Sequence, residues 1–385
     1  MKIVFICIVA SLSSLAQAFV APNQAGTRST ALNAAALIVQ NKGGGHGELG
    51  FQLAKVLSGN DKIDSITILQ DDAANMESEP FCSYATDIGD VTIVKAPLAD
   101  ETMDATKMQA LLGSGTTFDY VWDNASKGAK GAGKAVVDCA KSWGCNLLTY
   151  VSSAGAYNPT ADTTYPMDEA TTPVKESAGQ VLYEQYATAS GVPFCSFRPQ
   201  YIYGPKSNKY DYVDWYFDRL TRGLPLPIPG DGSQLVSLTN SEDVASLLAS
   251  VLNDEAAAAS GAIFNCGTDQ LVSYNEVAKL CAEVSGVVDY SVCHYDGAEL
   301  GKGKFPFRLT DFYVAPTKAK SALGWSGAAH SLRDDLTWYY KDYVASRADK
   351  PIKLDADWDI VSKTADGTGS APKYEKYGVA ITQSA

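Results

Sequence analysis

Apolar stretches of two kinds alternate along the first two hundred residues of the chain. Residues 36–40 form a nearly continuous apolar run, which is typical of a strand buried on both faces of a parallel sheet. A glycine-rich turn follows, and then residues 51–57, where apolar positions recur at helical spacing. The same alternation continues downstream. It predicts strands at 65–70, 90–95, 118–122, 146–152 and 193–197, and helices at 128–143 and 178–190.

The order of these elements predicts the fold class. Alternating strands and helices favour α/β, a doubly wound parallel-sheet Rossmann fold with right-handed crossovers. From about Tyr201 the pattern changes, because prolines and glycines cluster and helices alternate with short strands. We therefore predict a Rossmann dinucleotide-binding domain at 34–200 and a smaller, interleaved C-terminal α/β lobe at 201–346. Residues 347–385 end in Gly, Ser, Thr and Lys and predict a C-terminal tail.

The N-terminal residues have the composition of a targeting segment. Lys2 precedes a short apolar run, and small residues end at Ala18, which predicts a signal peptide at 1–18. Residues 19–33 carry hydroxylated side chains and no acid, which predicts a plastid transit segment. The two parts predict import into the plastid (chloroplast) stroma through a bipartite presequence, with ordinary secretion as the alternative. The apolar run is too short to span a bilayer, and no transmembrane segment is predicted.

Composition limits the classes of function. The net charge is −13, so the chain is not a general nucleic-acid binder, and any RNA binding needs a confined basic surface. Hydrophobic residues make up 46% of the chain, which supports a sizeable core. None of the eight cysteines has C-x-x-C spacing, and only three histidines are present. The sequence therefore predicts neither a disulfide framework nor a zinc site.

The glycine-rich turn has the spacing of a phosphate-binding loop. Gly44, Gly47 and Gly50 follow a predicted strand and open a predicted helix, as a dinucleotide site requires. Asp71, with Asp72 beside it, follows the second strand, where an acid hydrogen-bonds the adenosine ribose and favours NAD over NADP. We predict NAD as a vestigial or regulatory cofactor. The alternatives are a turn kept only for helix–sheet packing and two aspartates that simply end a strand.

A longer pattern resembles the extended short-chain dehydrogenases, the sugar epimerase and dehydratase branch. Residues 151–157 resemble the fifth strand and active-site serine of that branch, with Ser153 at the serine position. Residues 197–199, 203–205 and 262–265 fit the same branch, and the resemblance runs from about Ala36 to Tyr340.

The catalytic pair of that branch is missing. Its members use a tyrosine as general acid/base and a lysine four residues later, and Glu176 and Gln180 occupy these two positions. None of the 21 tyrosines has a lysine at the fourth following position. Glutamate cannot replace a phenol tuned near neutrality, and glutamine carries no charge. Ordinary dehydrogenase or epimerase chemistry is therefore not predicted.

A more specific set of motifs resembles the chloroplast stem-loop-binding protein family. The Gly-Gly-His loop and the Phe-Asn-Cys strand at 264–266 are similar to the a-type more than to the b-type. The other matching segments are 41–46, 49–51, 151–155, 196–201, 214–219, 227–230, 305–308 and 323–325. The resemblance implies a plastid protein that binds and stabilises stem-loop transcripts and ribosomal RNA, in oligomers and in ribosomal or transcription assemblies. It also implies a metal-dependent endoribonuclease activity.

Two sets of basic residues are candidates for RNA contacts. Lys127, Lys130, Lys134 and Lys141 recur at offsets of 3, 4 and 7, which would align them on one helix face. Lys206, Lys209, Arg219 and Arg222 are interleaved with Tyr210, Tyr212, Trp215 and Tyr216, which could stack on bases. The alternative for both sets is a solvated helix face with core aromatics.

The acids Asp71, Asp72 and Asp123 are the candidates for a nuclease site, because they follow neighbouring strands and Mg²⁺ needs clustered oxygens. Three hypotheses for the whole chain remain. It is a plastid RNA-binding protein on a degenerate scaffold, an NAD-dependent sugar-nucleotide epimerase or dehydratase with a non-standard catalytic acid, or a non-catalytic nucleotide-sensing scaffold.

Overall fold

The computed structural model describes residues 34–43, 46–300 and 305–352, together with 354, 357, 360 and 361. The signal peptide and transit segment predicted at 1–33 lie outside these residues, as do Gly44 and most of the C-terminal tail. The described residues belong to a single unit of the chain.

In the described part of the chain, the main feature is a seven-stranded parallel sheet with the order β11-β6-β5-β4-β1-β2-β3. The predicted doubly wound Rossmann fold is therefore confirmed. The strands of this sheet are β1 (Ala35–Gln40), β2 (Ser65–Asp71), β3 (Thr92–Ala96), β4 (Tyr120–Asn124), β5 (Leu147–Val151), β6 (Phe194–Pro199) and β11 (Ser260–Cys266).

Helices cover both faces of the sheet, and shorter strands pair outside it. The helices are α1 (Gly47–Ser58), α2 (Tyr84–Asp87), α3 (Ala105–Leu112), α4 (Ala132–Trp143), α5 (Gly179–Ser190), α6 (Asp214–Leu220), α7 (Ser241–Ala249), α8 (Glu255–Ala258), α9 (Tyr274–Ser285), α10 (Gly297–Leu300), α11 (Thr317–Leu323) and α12 (Leu332–Ser346). The short strands are β7 (Ile202–Tyr203), β8 (Leu226–Pro229), β9 (Leu235–Val236), β10 (Thr239–Asn240), β12 (Val272–Ser273) and β13 (Val292–Tyr295). They form the pairs β10-β7, β12-β9 and β13-β8.

Strand β1 explains why the first apolar run is continuous. Its side chains alternate between two faces: Ala36 and Ile38 pack into one core cluster, while Leu37 and Val39 pack into another. All four residues are fully buried, because helices cover both faces of the sheet. A strand with one face in water would instead alternate apolar and polar residues.

Strand β11 comes from the segment that was predicted to form the smaller lobe, and it pairs with β6 at the edge of the main sheet. The chain therefore returns to the Rossmann sheet after residue 201, as an interleaved lobe requires. A separate aromatic core, which includes Tyr216, Phe217 and Phe307, packs around α6, α9 and α12. The boundaries 34–200 and 201–346 remain a prediction. Within the described residues, no helix combines the length and the apolar character needed to cross a membrane.

One predicted helix is too long. The sequence pattern predicts a helix at 128–143, but α4 begins at Ala132 because Gly131 has a φ of 51°, outside the helical region. Lys127 and Lys130 therefore lie on the loop that precedes the helix rather than on its surface. This shift matters for the site described below.

A buried ion pair joins α5 to the sheet. The Arg198 Nη2 donates to Glu184 Oε2 at 2.6 Å, and Ser196 Oγ donates to Glu184 Oε1 at 2.8 Å. The Arg198 guanidinium also lies 4.7 Å from the centre of the Tyr157 ring. Tyr157 in turn donates from its hydroxyl to Asn265 Oδ1 of β11 at 2.7 Å. This chain of contacts connects α5, β6, β11 and the loop after β5.

We predict that Glu184→Ala lowers the free energy of unfolding by about 3–5 kcal/mol, because it leaves the Arg198 charge buried without its partner. Equilibrium urea unfolding measures the loss. The matched control is Glu283→Ala, which breaks the exposed Lys279–Glu283 pair and should cost less than about 1 kcal/mol. Equal losses in the two variants would contradict the assignment.

Candidate functional site

A cleft of about 1130 Å³ opens at the carboxyl edge of the sheet. It lies where the strand order reverses, with β2 and β3 on one side of β1 and β4 on the other. Open α/β sheets bind their ligands at this switch point. The end of β2 and the loops after β1, β3, β4, β5 and β6 all contribute to its lining.

A buried polar network holds the ends of the strands beneath the cleft. The Gln40 Nε2 donates to the Gly47 carbonyl at 2.6 Å, and Asn124 Nδ2 donates to Gln40 Oε1 at 2.9 Å. Gln70 Nε2 donates to the Asn41 carbonyl at 2.8 Å. Because Gln40 and Gln70 are fully buried, these bonds satisfy groups that water cannot reach. The network therefore fixes the position of the glycine loop relative to β1, β2 and β4.

The glycine at the third loop position allows helix α1 to lie close to β1. A Cβ at Gly50 would lie 1.9 Å from Gln40 Oε1, so any larger residue would displace the network. Helix α1 begins at Gly47, after His46 in the left-handed region at φ 67°. The part of Gly47 and Gly50 in cofactor binding stays a prediction, and Gly44 lies outside the described residues.

Side chains of the protein itself approach the glycine loop. A Cβ at Gly43 would lie 2.3 Å from Asn208 Nδ2, and a Cβ at Gly47 would lie 2.9 Å from the same atom. The ring of Phe81 is similarly close to both positions. The absence of side chains at Gly43 and Gly47 therefore makes room for Asn208 and Phe81. No sequence pattern predicts this contact, because Asn208 is more than 150 residues away from the glycine loop.

The candidate acids are not brought together. Asp71 is buried and lines the cleft, Asp72 is exposed, and Asp123 lies on β4 with β1 between it and Asp71. Two strand spacings separate Asp71 from Asp123 by roughly 10 Å. Asp123 is fully buried, and it accepts hydrogen bonds from the Tyr183 hydroxyl and the Ala125 amide. Burial raises the pKa of Asp123 above its usual range.

The predicted metal site at Asp71, Asp72 and Asp123 is therefore wrong as a cluster. Within residues 34–352 as described, no group of three or more His, Cys, Asp or Glu side chains is arranged to hold a metal ion. Sequence placed these acids at one edge of the sheet, but strand order and side-chain direction keep them apart.

The two residues predicted at the positions of the dehydrogenase pair lie differently relative to the cleft. Gln180 lies in the first turn of α5 and lines the cleft together with Ser153. Glu176 precedes α5 and is exposed, and it lies outside the described lining of the cleft. Tyr183 of α5 is fully buried against Tyr150, with ring centres 3.8 Å apart. Burial raises the pKa of Tyr183 well above its usual range, so this phenol does not replace the missing acid.

Half of the second basic set is interior. Arg219 is buried in an ion pair with Asp357, at 2.6 Å from Nε to Oδ2, and Arg222 is buried against Asp218. Lys206 is ion-paired with Glu79 and Asp87. The prediction that Arg219 and Arg222 contact RNA is therefore wrong, because their guanidinium groups neutralise acids inside the smaller lobe. Trp215 and Tyr216, which were predicted as stacking residues, are also buried.

The first basic set divides between the loop and the helix. Lys127 and Lys130 are exposed at the rim of the cleft, where Lys130 pairs with Glu101 at 2.5 Å. Lys134 and Lys141 are exposed on α4, and Lys134 pairs with Asp138 at 2.5 Å. The four lysines thus do not form the single helix face that their spacing predicts.

The structure gathers cations from distant parts of the chain at one cleft. Three of them, Lys127, Lys130 and Lys209, belong to the two predicted sets. Lys42 and Arg308 were not predicted as site residues. Among the described residues, five cations line the cleft against three carboxylates, whereas the whole chain carries a net charge of −13. The carboxylates are Asp71, Asp100 and Glu101.

Backbone strain also concentrates at the cleft. Among the described residues, the non-glycine positions with positive φ are His46, Tyr201 and Lys206. His46 and Tyr201 line the cleft, and Lys206 lies on the segment that carries Lys209 to it. A bulky residue such as Tyr201 at φ 37° is uncommon, and such conformations cluster at binding sites.

The chain matches the model of one protein family over more than half of its length. The NAD dependent epimerase/dehydratase family matches residues 43–267, more than half of the chain. The chain belongs to this family. The predicted resemblance to extended short-chain dehydrogenases is thereby confirmed.

Two curated relatives come from Arabidopsis thaliana. One is the chloroplast stem-loop binding protein of 41 kDa b, which is 36% identical over 217 residues, 56% of this chain and 57% of that protein. The other is a trifunctional UDP-glucose 4,6-dehydratase, which is 27% identical over 43% of this chain and 24% of that protein. The chain thus spans less than two thirds of either relative. The predicted resemblance to stem-loop-binding proteins is confirmed through a b-type relative, and the preference for the a-type stays a prediction.

Solved structures of epimerases and dehydratases share the fold. The UDP-glucose 4-epimerase of Thermotoga maritima superposes with a TM-score of 0.59 and 17% identity, covering 80% of this chain and 99% of that one. The dTDP-glucose 4,6-dehydratase of Bacillus anthracis, a complex with NAD, superposes with a TM-score of 0.62 and 14% identity, covering 82% and 98%.

The residues present fit only one half of the NAD that this family implies. Asp71 lines the cleft at the end of β2, and the N-terminus of α1 faces the same region, as the adenosine half requires. Asn208 and Phe81 lie against the glycines that a pyrophosphate approaches. Gln180, which carries no charge, stands at the predicted position of the lysine that would hold the nicotinamide ribose. The redox half of the cofactor therefore has no matching residues.

We predict that Asn208→Ala raises the affinity for ADP-ribose, which carries the adenosine and pyrophosphate of NAD, by about tenfold. The shorter side chain frees the space beside Gly43 and Gly47. Isothermal titration calorimetry measures the change, with Asn158→Ala, at an exposed position outside the described cleft lining, as the control. Weaker binding by the Asn208 variant would show that this amide contacts the nucleotide instead of obstructing it.

Proposed function

We propose that this protein is a plastid RNA-binding protein, which holds RNA at the cleft of a degenerate epimerase/dehydratase scaffold and performs no hydride chemistry. The observation that carries the proposal is the charge of the cleft. Lys42, Lys127, Lys130, Lys209 and Arg308 converge there in a chain that is otherwise strongly acidic. A cleft with an excess of one sign of charge concentrates ligands of the other sign, and with five cations against three carboxylates this one favours an anion such as an RNA backbone.

The negative charge of the rest of the protein supports an RNA site that is confined to the cleft. A net charge of −13 repels RNA from most of the protein, so productive contacts concentrate where cations exceed carboxylates. The cleft is also lined by the aromatic residues Tyr201, Tyr212 and Phe312. Cations interleaved with aromatic side chains are typical of sites that bind unpaired nucleotides.

The loss of the catalytic pair supports a role other than sugar-nucleotide chemistry. Glu176 is exposed away from the cleft, and Gln180 supplies no charge. The proposal therefore assigns NAD no chemical role. The acids Asp71, Asp72 and Asp123 do not assemble a metal site, so neither Mg²⁺ nor RNA cleavage is part of the proposal.

The Arabidopsis relative supports both the proposed RNA ligand and the proposed plastid location. Its name describes a chloroplast protein that binds stem-loops, and 217 residues of this chain are similar to it. We therefore propose plastid stem-loop transcripts or ribosomal RNA as ligands, and the plastid stroma as the location. Oligomers and ribosomal or transcription assemblies are the corresponding partners.

We predict that the protein binds a plastid stem-loop RNA with strong salt dependence, and that Lys127→Ala combined with Lys209→Ala lowers the slope of log affinity against log salt by about two. Each lysine releases about one counterion when it contacts a phosphate. Filter binding over a salt series measures the slope. The matched control is the double variant Lys62→Ala and Lys279→Ala, at exposed lysines outside the described cleft lining.

Two results would count against the proposal. Absence of RNA binding by the protein at low salt would leave only a nucleotide-binding scaffold. Binding with equal slopes for the cleft variant and its control would place the RNA on another surface.

A further inference from the structure

The end of the cleft beyond β5 and β6 has features of a preformed ligand site, and the inference drawn from it rests on the proposed RNA binding. Two cations there are held by aromatic rings. Lys209 Nζ lies 5.2 Å from the centre of the Tyr212 ring, and the Arg308 guanidinium lies 4.7 Å from that of Phe312. In the described part of the chain, neither cation is ion-paired with a carboxylate. Both therefore keep their charge available to an anion in the cleft.

Two residues that line the cleft each carry a buried polar side-chain atom without a partner. Neither Ser152 Oγ nor Gln200 Oε1 has a hydrogen-bond partner among the described residues, although the two residues are only 7% and 3% exposed. Both residues line the cleft. Leaving such atoms unpaired costs about 1–3 kcal/mol each, so a native protein normally satisfies them with water or a ligand.

The backbone between these groups is held in an uncommon conformation. Tyr201 adopts φ 37°, and its ring packs edge-on against Tyr212 and Phe312, at 5.1 and 6.1 Å between ring centres. The strained residue thus connects the rings that carry the two cations. It is also adjacent to Gln200, whose Nε2 donates to the Phe312 carbonyl. All these residues line the cleft, and together they are called its wall.

We propose that this wall binds one unpaired nucleotide from the loop of a stem-loop RNA. Its phosphate contacts Lys209 and Arg308, and the edge of its base hydrogen-bonds Ser152 and Gln200. A base inside a duplex is stacked and paired, so it cannot present its edge to buried atoms in a cleft. An unpaired loop nucleotide can leave the stack at little cost. The cleft therefore distinguishes a stem-loop from its stem.

The experiment compares three RNAs with the same stem: a stem-loop, the stem-loop with abasic sites throughout its loop, and a blunt duplex. We expect the protein to bind the stem-loop about tenfold more tightly than either other RNA. Arg308→Ala should remove most of this preference, because the stem-loop loses more affinity than the blunt duplex. Arg333→Ala, at an exposed arginine outside the described cleft lining, is the matched control and should leave the preference unchanged.

Ser152→Ala provides a second test that removes only one hydroxyl. It should reduce the discrimination between the intact and the abasic loop by about threefold or more without changing the salt slope. Equal affinity for intact and abasic loops, in a protein that binds all three RNAs, would overturn the capture of a nucleotide and leave the proposed RNA binding intact. Failure to bind any of the RNAs would instead refute the proposed function.

Discussion

The structure depends on one constraint, the close approach of helix α1 to strand β1 at the carboxyl edge of the sheet. Gly50 permits this approach, because a Cβ there would lie 1.9 Å from Gln40 Oε1. Gln40 then bonds both the start of α1 and Asn124 of β4, with no water available as a substitute. A buried amide with all its partners is rigid, and an unpaired one is costly. The glycine loop, the strand ends and the cleft therefore hold their positions together.

The cleft that this constraint creates lies at the switch point of the family's fold, and the sequence carries no tyrosine–lysine pair of the kind the family uses. The switch point, the helix N-terminus and Asp71 remain where a nucleotide would bind. Gln180 and Glu176 stand at the positions of the catalytic pair, and Tyr183 of the same helix is buried in the core. A scaffold of this kind can still bind anions, because binding needs donors and charge, whereas hydride transfer needs a phenol and a lysine at fixed positions.

The basic side chains inside the molecule and those at the cleft differ in their partners. Between the smaller lobe and the start of the C-terminal segment, Arg219 and Arg347 are buried in ion pairs with Asp357 and Asp214. At the cleft, Lys209 and Arg308 also lie over aromatic rings, but among the described residues neither is paired with a carboxylate. A buried arginine paired with a carboxylate stabilises the fold, whereas a cation without a carboxylate partner keeps its charge available to a ligand. Counting basic residues along the chain does not separate these two uses.

The sequence alone determined the features that depend on local physics. Continuous apolar runs identified β1 and the parallel sheet, glycine spacing identified the start of α1, and a simple check of every tyrosine excluded the catalytic pair. Tertiary structure decided which charged side chains can reach a ligand. It buried Arg219, separated Asp71 from Asp123 by an intervening strand, and brought Lys127 and Lys209 to one cleft. Periodicity reports the face of a single element, whereas burial and pairing depend on strand order and on neighbours a hundred residues away.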